Sequence, residues 1–372
     1  MDDERAYWIA FSVFPGIGPI RFKLLLSYFG SAADAWKAPE ETLRSIKLGD
    51  RLTARFVDFR KSFSVESYLE KLEIEHVSTL ILTDAKYPKL LSQIPDPPFV
   101  LYIKGKKSKV PWNIERSIAV VGTRKITHYG EEVTKRLTEE LVFQGFTIIS
   151  GLAYGVDAAA HAAALEVGGK TIAVLGCGID IIAPPSNARL YRAIADEGRG
   201  AIVSEMPLGL RPNKGLFPAR NRIISGLALG VLVTEGADDS GSLITARNAG
   251  EQGREVFAIP GPITSPYSRG PAKLLKNGAK LVESVEDILE ELKIPRNNPI
   301  NKSASRRTNN PIIQYKNEEE KKILQCLKDR QIHVDELVRM SGLQASQVFA
   351  TLTILEMRGV VKDYGEKEYG LT

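Results

Sequence analysis

The chain has 372 residues, 43% of them hydrophobic, enough for two or three domains with cores of their own. Its net charge is a mild +5, and no apolar run reaches the ~18–20 residues of a membrane span. The acidic start, MDDERAYWIA, lacks the basic segment of a secretion signal, and Cys177, Cys326 and the four histidines show no metal-ligand spacing, which argues against a zinc enzyme and fits a reducing cytoplasm.

Residues 1–65 read as helical, with FPGIGPIRFKLLLSYFG as the informative stretch. Pro15, Gly16, Ile17, Gly18 and Pro19 form a tight hairpin into a helix carrying Phe22, Leu25, Leu26 and Phe29, stopped by Gly30. Gly16 and Gly18 leave backbone N–H groups uncovered, and these can grip a phosphate without reading sequence. The stretch fits either a helix-hairpin-helix (SAM-like) module, with Gly16 and Gly18 as a secondary DNA contact, or an ordinary helical hairpin with a Gly-rich turn. Residues 66–116, punctuated by Pro88, Pro95, Pro97 and Pro98, predict a connector with a short helix and a strand over 99–103.

Residues 117–293 alternate apolar strands (117–121, 146–150, 171–175, 201–204, 230–234, 255–259) with helices near 129–144, 155–167, 187–197, 218–228 and 241–252. Strands this apolar, separated by helices, imply a parallel sheet covered on both faces. The fold class is therefore α/β, with a Rossmann-like doubly wound core whose ligands sit outside the carboxyl ends of the strands. A polar, basic linker spans 294–316 with Arg296, Lys302, Arg306, Arg307, Lys316 and no acid. The tail, 317–372, carries eight Lys/Arg against ten Asp/Glu and predicts helix, helix, helix and two short strands around Gly365, a winged helix. Its third helix, 345–358, has only Arg358 as a base, which favours a protein-contacting role over sequence-specific DNA reading.

The chemistry gathers at the strand ends. Gly122, Thr123, Arg124 and Lys125 follow the first core strand, and Gly151 follows the second. Gly176 to Asp180 and then Asn187 follow the third, while Arg211, Lys214, Arg220, Asn221 and Arg222 follow the fourth. After the fifth, Ser240 or Ser242 can cap a helix while Gly241 lets a phosphate approach its free N–H groups, with Asp238 and Asp239 turned outward or lending charge to the cap. Together these loops predict one concave cationic pocket. G-x-G-x-x-G, G-x-x-x-x-G-K-[ST] and G-x-S-x-G are all missing from these loops, so the pocket reads as a binder rather than a dehydrogenase, NTPase or hydrolase. Asp157 and His161, four residues apart on one helix face, are either a base with its orienter or a helix-face hydrogen bond.

The strings YPKLLSQIPDPPFVLYIKG, VGTRKITHYG, SGLAYGVDAAAHAAAL, VLGCGIDIIAPPSNARLY, SEMPLG, FPARNRIISGLA, GSLITARNAGEQGREVFAIPG and GPAKLLKNGAKLV, in this order, resemble the DNA-processing protein A (DprA/Smf) family. The resemblance implies a non-catalytic, single-stranded-DNA-binding protein of natural transformation and recombination. Such a protein shields incoming strands, helps load RecA, needs no nucleotide or metal cofactor, and acts as a cytoplasmic homodimer. It also implies a pocket made of Gly122, Thr123, Arg124, Lys125, Gly151, His161, Asn187, Arg220, Asn221, Arg222, Ser240, Gly241 and Ser242. Arg124, Arg220 and Arg222 are expected at its floor, Lys214 at its rim, and Tyr154, Phe217 or Arg220 stacking a base.

Two departures from the family pattern stand out. Pro185 and Ser186 precede Asn187 where many relatives have a basic residue, so a phosphate contact is missing that Lys214 can replace. Thr123 stands where Ser is common. Two rival readings are weighed against this one. A nucleotide phosphoribohydrolase needs a Glu one turn into the helix that follows Ser240, and Glu251 lies too far along. A scaffold with a vestigial pocket would act through its winged helix.

Overall fold

In this computed structural model the chain is described over residues 3–46, 48–105, 116–196, 198–213, 215–297, 317–327, 332–358, 360–363, 365 and 367–371. Met1–Asn297 and Asn298–Thr372 form separate compact units. The first unit opens with helices α1 (Asp3–Val13), α2 (Pro19–Phe29), α3 (Ala32–Lys37), α4 (Glu40–Ser45), α5 (Asp50–Ser62) and α6 (Val65–Ile74). Local chemistry sets their ends. Pro19 starts α2 where its missing N–H costs nothing, and Gly30, at φ 80°, closes it by donating its N–H to Leu26 O at 2.8 Å. Ser31 then caps α3 by accepting the Asp34 N–H at 3.0 Å.

Next come β1 (Ser78–Ile81), α7 (Lys89–Ser92) and β2 (Val100–Lys104). The alternating core follows as β3 (Ser117–Val121), α8 (His128–Phe143), β4 (Thr147–Ser150), α9 (Val156–Glu166), β5 (Thr171–Leu175), α10 (Ala188–Asp196) and β6 (Gly200–Ser204). It continues through α11 (Leu216–Gly226), β7 (Gly230–Val233), α12 (Ser242–Glu251), β8 (Glu255–Ala258), α13 (Arg269–Lys276), β9 (Lys280–Leu281) and α14 (Val285–Glu291). The six strands expected in the core form within one residue of their predicted limits. They belong to a nine-stranded sheet of order β1-β2-β6-β5-β4-β3-β7-β8-β9, in which β3 to β9 run parallel. The order reverses between β3 and β7, the topological switch point of a doubly wound sheet.

The connector joins this sheet. β2 pairs antiparallel with β6, and β1 pairs antiparallel with β2, so residues 66–116 widen the sheet rather than merely cover it. The helices share its core. The Phe22 ring stacks on Phe99 at 4.1 Å, and Arg5 Nη1 meets both carboxylate oxygens of Asp84 at 2.8 Å. One apolar cluster runs from Trp8 in α1 to Leu208 beyond β6. At the other end, Asn297 donates its backbone N–H to Gln144 Oε1 at 2.9 Å, so the start of the expected linker is anchored to the first unit. Residues 298–316 lie outside the described residues.

The second unit comprises α15 (Glu318–Cys326), β10 (Ile332–His333), α16 (Val334–Ser341), α17 (Ala345–Met357), β11 (Val361–Asp363) and β12 (Glu368–Leu371). A three-stranded sheet of order β10-β12-β11 completes the winged helix; β10, too short to show in the sequence, is the added strand. Arg358, the lone base at the end of α17, pairs with buried Glu320 at 2.8 Å, while Phe349, Ile354 and Met357 are exposed. Among the described residues no helix is long and apolar enough to cross a membrane.

Truncating Phe22, 1% exposed and stacked between helices and connector, removes the contact that joins them. Phe22→Ala is expected to lower the unfolding free energy of the first unit by about 3–5 kcal/mol. Urea denaturation followed by tryptophan fluorescence checks this, and a change below about 1 kcal/mol would show that the stack carries little of the joint.

Candidate nucleic-acid interface

At the switch point the crevice that receives pyrophosphate in dinucleotide-binding folds is already filled by the protein's own carboxylate. Glu235, buried just past β7, accepts the Thr127 N–H at 3.0 Å and the Thr127 hydroxyl at 2.6 Å, at the very start of α8. An anion there satisfies the helix N-terminus as a phosphate would. The Glu235 carbonyl also accepts the Thr123 N–H at 2.7 Å, so the loops after β3 and β7 are stitched together. Gly122 and Thr123 therefore build this seam, and the loop emerges into solvent only at Arg124 and Lys125, both exposed.

The open site lies across the ends of β3, β4 and β5. It is a cleft of about 140 Å³ lined by Arg124, Gly151, Tyr154, Cys177, Phe217 and Arg220, among others. Arg220 forms its floor. Its Nη1 donates to Gly151 O at 2.6 Å and to Val174 O at 2.7 Å, and its Nε donates to Asn221 Oδ1 at 3.1 Å. Nη2 has no partner among the described residues. Gly151 is required here, because a Cβ would overlap the guanidinium.

Asp157 holds the same loop from the other side. It accepts the Gly151 N–H at 3.1 Å and the Ala153 N–H at 3.3 Å. Burial pushes its carboxyl above the usual range, against the pull of Arg220, and burial lowers the Arg220 guanidinium in turn. At the mouth, the Arg124 guanidinium stands 5.1 Å from the centre of the Phe217 ring, beside half-exposed Tyr154. Cys177 lines the wall as an inert thiol, pushed up to about 11 by burial.

Several expected site residues fall elsewhere. Arg220 and Arg222 are two residues apart on α11, hence about 200° apart around a helix of 3.6 residues per turn. Arg222 accordingly points away from the cleft and ion-pairs with Asp96 at 3.1 Å and Glu205 at 2.5 Å. It is not a floor residue. His161 is fully buried, with Nδ1 2.6 Å from the Thr171 hydroxyl, and burial holds its imidazole at about 3, so it is neutral and offers no surface to a ligand. Asp157 faces the loop and His161 faces Thr171, so the two form no base-and-orienter pair.

Asn187 donates to Leu152 O at 3.0 Å and Ala153 O at 3.3 Å, bracing the loop from behind. Ser240 lines a different groove beside α12 and α13, so the expected single pocket is divided. Gly241, rather than either serine, occupies the N-cap of α12, while the Ser240 hydroxyl accepts the Ser242 N–H at 3.3 Å. Asn221 links the two places, donating to Gly241 O at 3.3 Å while its Oδ1 receives Arg220. Lys214 lies outside the described residues. The seal made by Glu235 was missed by sequence reasoning: it contacts Thr127 across 108 positions, and no local pattern announces it.

The buried imidazole has a consequence for stability. The unfolded chain binds a proton at His161 near pH 6.5 that the native protein refuses until about pH 3, so stability is full above 6.5 and falls as pH drops. Wild type is expected to lose up to about 1.4 kcal/mol per pH unit between pH 6.5 and 5 from this residue. His161→Gln should show a shallower fall over that interval in denaturant titrations, and parallel profiles for both proteins would remove His161 as the cause.

The DNA recombination-mediator protein A family matches residues 78–293, and the DprA winged helix domain matches 309–365. Protein Smf of Synechocystis is 36% identical over 392 aligned residues, covering 97% of each chain. The crystal structure of DNA processing protein A from Streptococcus pneumoniae superposes with a TM-score of 0.66 at 37% identity, covering 78% of this chain and 98% of that one. The DNA processing protein A of Helicobacter pylori, described for its single-stranded DNA binding mode, superposes with a TM-score of 0.50 at 31% identity, covering 58% of this chain and 95% of that one. With its strand-end cleft, its winged helix and a match over more than half its length, the chain belongs to the DNA recombination-mediator protein A (DprA/Smf) family.

Proposed function

We propose that this protein binds single-stranded DNA through the cleft at the ends of β3, β4 and β5, and hands the coated strand to a RecA-class recombinase without turning over a substrate. The observation that carries the reading is Arg124, exposed at the mouth against the Phe217 ring, with Arg220 behind it. A flexible single strand needs cations along its backbone and flat surfaces for its bases, and this arrangement supplies both within a few ångströms. A duplex holds its bases stacked and cannot present one to so small a cleft. The single-stranded DNA binding of the Helicobacter pylori relative supports the same choice of ligand.

Around that centre, Lys125 adds charge at the loop tip. Gly122, Thr123, Gly151, Asn187 and Asn221 hold the loops in place, and Ser240, Gly241 and Ser242 flank the site through Asn221. A homodimer would set two such clefts on one strand and raise avidity without new contacts. The winged helix would serve through a protein partner: the base at the end of α17 is already paired, and the helix exposes Phe349, Ile354 and Met357.

Binding of fluorescent oligo-dT and of a matched duplex, from about 50 to 200 mM salt, tests the proposal. Wild type is expected to prefer the single strand and to weaken by orders of magnitude over that range. Arg124→Glu should lower single-strand affinity by 100-fold or more, on the order of 3 kcal/mol. Unchanged binding by that variant would move the DNA away from the cleft, and equal affinity of wild type for both polymers would remove the single-strand reading.

A further inference from the structure

The N-terminal helices carry a second cationic surface that the cleft does not use. The turn between α1 and α2 passes through Gly16 at φ 118°, a backbone conformation open to glycine, and a Cβ there would also strike the Leu52 side chain of α5 at 2.7 Å. That close fit brings α5 against the turn. Arg21, from the first turn of α2, reaches back to donate to Gly16 O at 2.7 Å, and the Arg55 guanidinium lies 5.9 Å from the centre of the Phe14 ring. Arg51 and Arg55, both exposed, line an open concavity of about 530 Å³ with Leu48, Gly49, Asp50 and Leu52. Asp50, the acid among these, is held by Arg44 at 2.7 Å, whereas neither Arg51 nor Arg55 has a carboxylate partner among the described residues.

Beside them, Gly16 and Gly18 are exposed, and nothing lies within 4 Å of the position a Gly18 Cβ would take. Ile20, 77% exposed, adds an apolar tip one turn along.

We propose that the α1–α2 turn and the start of α5 form a second, sequence-independent contact for the sugar–phosphate backbone of DNA, with Arg51 and Arg55 as its phosphate-neutralising residues. The shape selects a polymer. An enclosed pocket ringed by donors suits a single phosphate, but this surface is shallow, and its cations sit along one helix at four-residue spacing, where successive phosphates can pass. Bare glycine backbone at the rim lets a chain of phosphates approach closely without reading bases. The site is independent of the cleft; a strand engaging both would gain through effective concentration.

The test uses the full chain with Arg51→Gln/Arg55→Gln, in wild-type and Arg124→Glu backgrounds, against 20- and 60-nucleotide oligo-dT and a 60-base-pair duplex at about 50 to 200 mM salt. In the wild-type background the double variant should bind the 60-mer several-fold more weakly, with a log–log salt slope shallower by about 1.4, or about 0.7 per cation. The 20-mer, with less length to span both contacts, should be less affected. In the Arg124→Glu background, residual salt-dependent binding to the long polymers should disappear. Arg51→Lys/Arg55→Lys should keep the slope, separating charge from packing.

An unchanged slope on both long polymers in both backgrounds overturns the proposal. Loss of binding by the Gln pair with full binding by Arg124→Glu would sink the cleft reading and leave this one standing.

Discussion

A single buried guanidinium organises the strand ends on which the rest of this protein depends. Arg220 joins the loop after β4, through Gly151 O, to the end of β5, through Val174 O, and reaches the start of α12 by way of Asn221 and Gly241 O. Burying a cation costs several kcal/mol unless it is well partnered. Here main-chain carbonyls, an amide oxygen and the nearby Asp157 offset that cost, and the opposed shifts on Asp157 and Arg220 record the compromise. The result is a rigid floor with one donor facing outward, arranged before any ligand arrives. Pre-ordering of this kind lowers the entropy lost on binding.

The position of the cleft follows from what closes the switch point. In an open doubly wound sheet the crevice where strand order reverses is the natural place for an anion, because helix N-termini converge there. Glu235 occupies it and ties β7 to the start of α8. A pyrophosphate at that helix end would meet a carboxylate already bonded to it, so charge opposes an anion there. The open cleft lies one strand along, toward β4 and β5, where Gly151 leaves room for a guanidinium and Phe217 supplies a ring.

The parallel core was legible because each strand buried on both faces must be apolar throughout, and runs such as SIAVV and TIAVL cannot be mistaken for one face of a helix. β1 and β9 escaped notice for the opposite reason: β1 is a half-buried strand at the sheet edge and β9 has two residues. Residues 99–103 read as a strand, yet nothing local told that it would run antiparallel beside β6 and weld the helices to the sheet. Among the candidate site residues, Arg124 and Arg220, which line the cleft, were visible as cations at strand ends. Arg222 and His161 looked equivalent in the sequence, and only the turn of α11 and the depth of α9 separate them from the cleft. Side-chain direction on a helix is readable from spacing once the inward face is known; burial depth requires the tertiary fold.

On the binding proposed above, two weak cationic surfaces on one unit would suit a single strand better than one strong one. A flexible polymer held at one point keeps its remaining length mobile, and the second contact then forms at an effective concentration set by the intervening nucleotides. Both proposed contacts would rely on exposed arginines, so each would be screened by salt and could release without unfolding anything. The proposed role, covering a strand and then yielding it, would need that reversibility. A deep, fully desolvated channel would hold the strand too long, whereas a small cleft plus an open rim lets it leave in steps, each costing less than the whole.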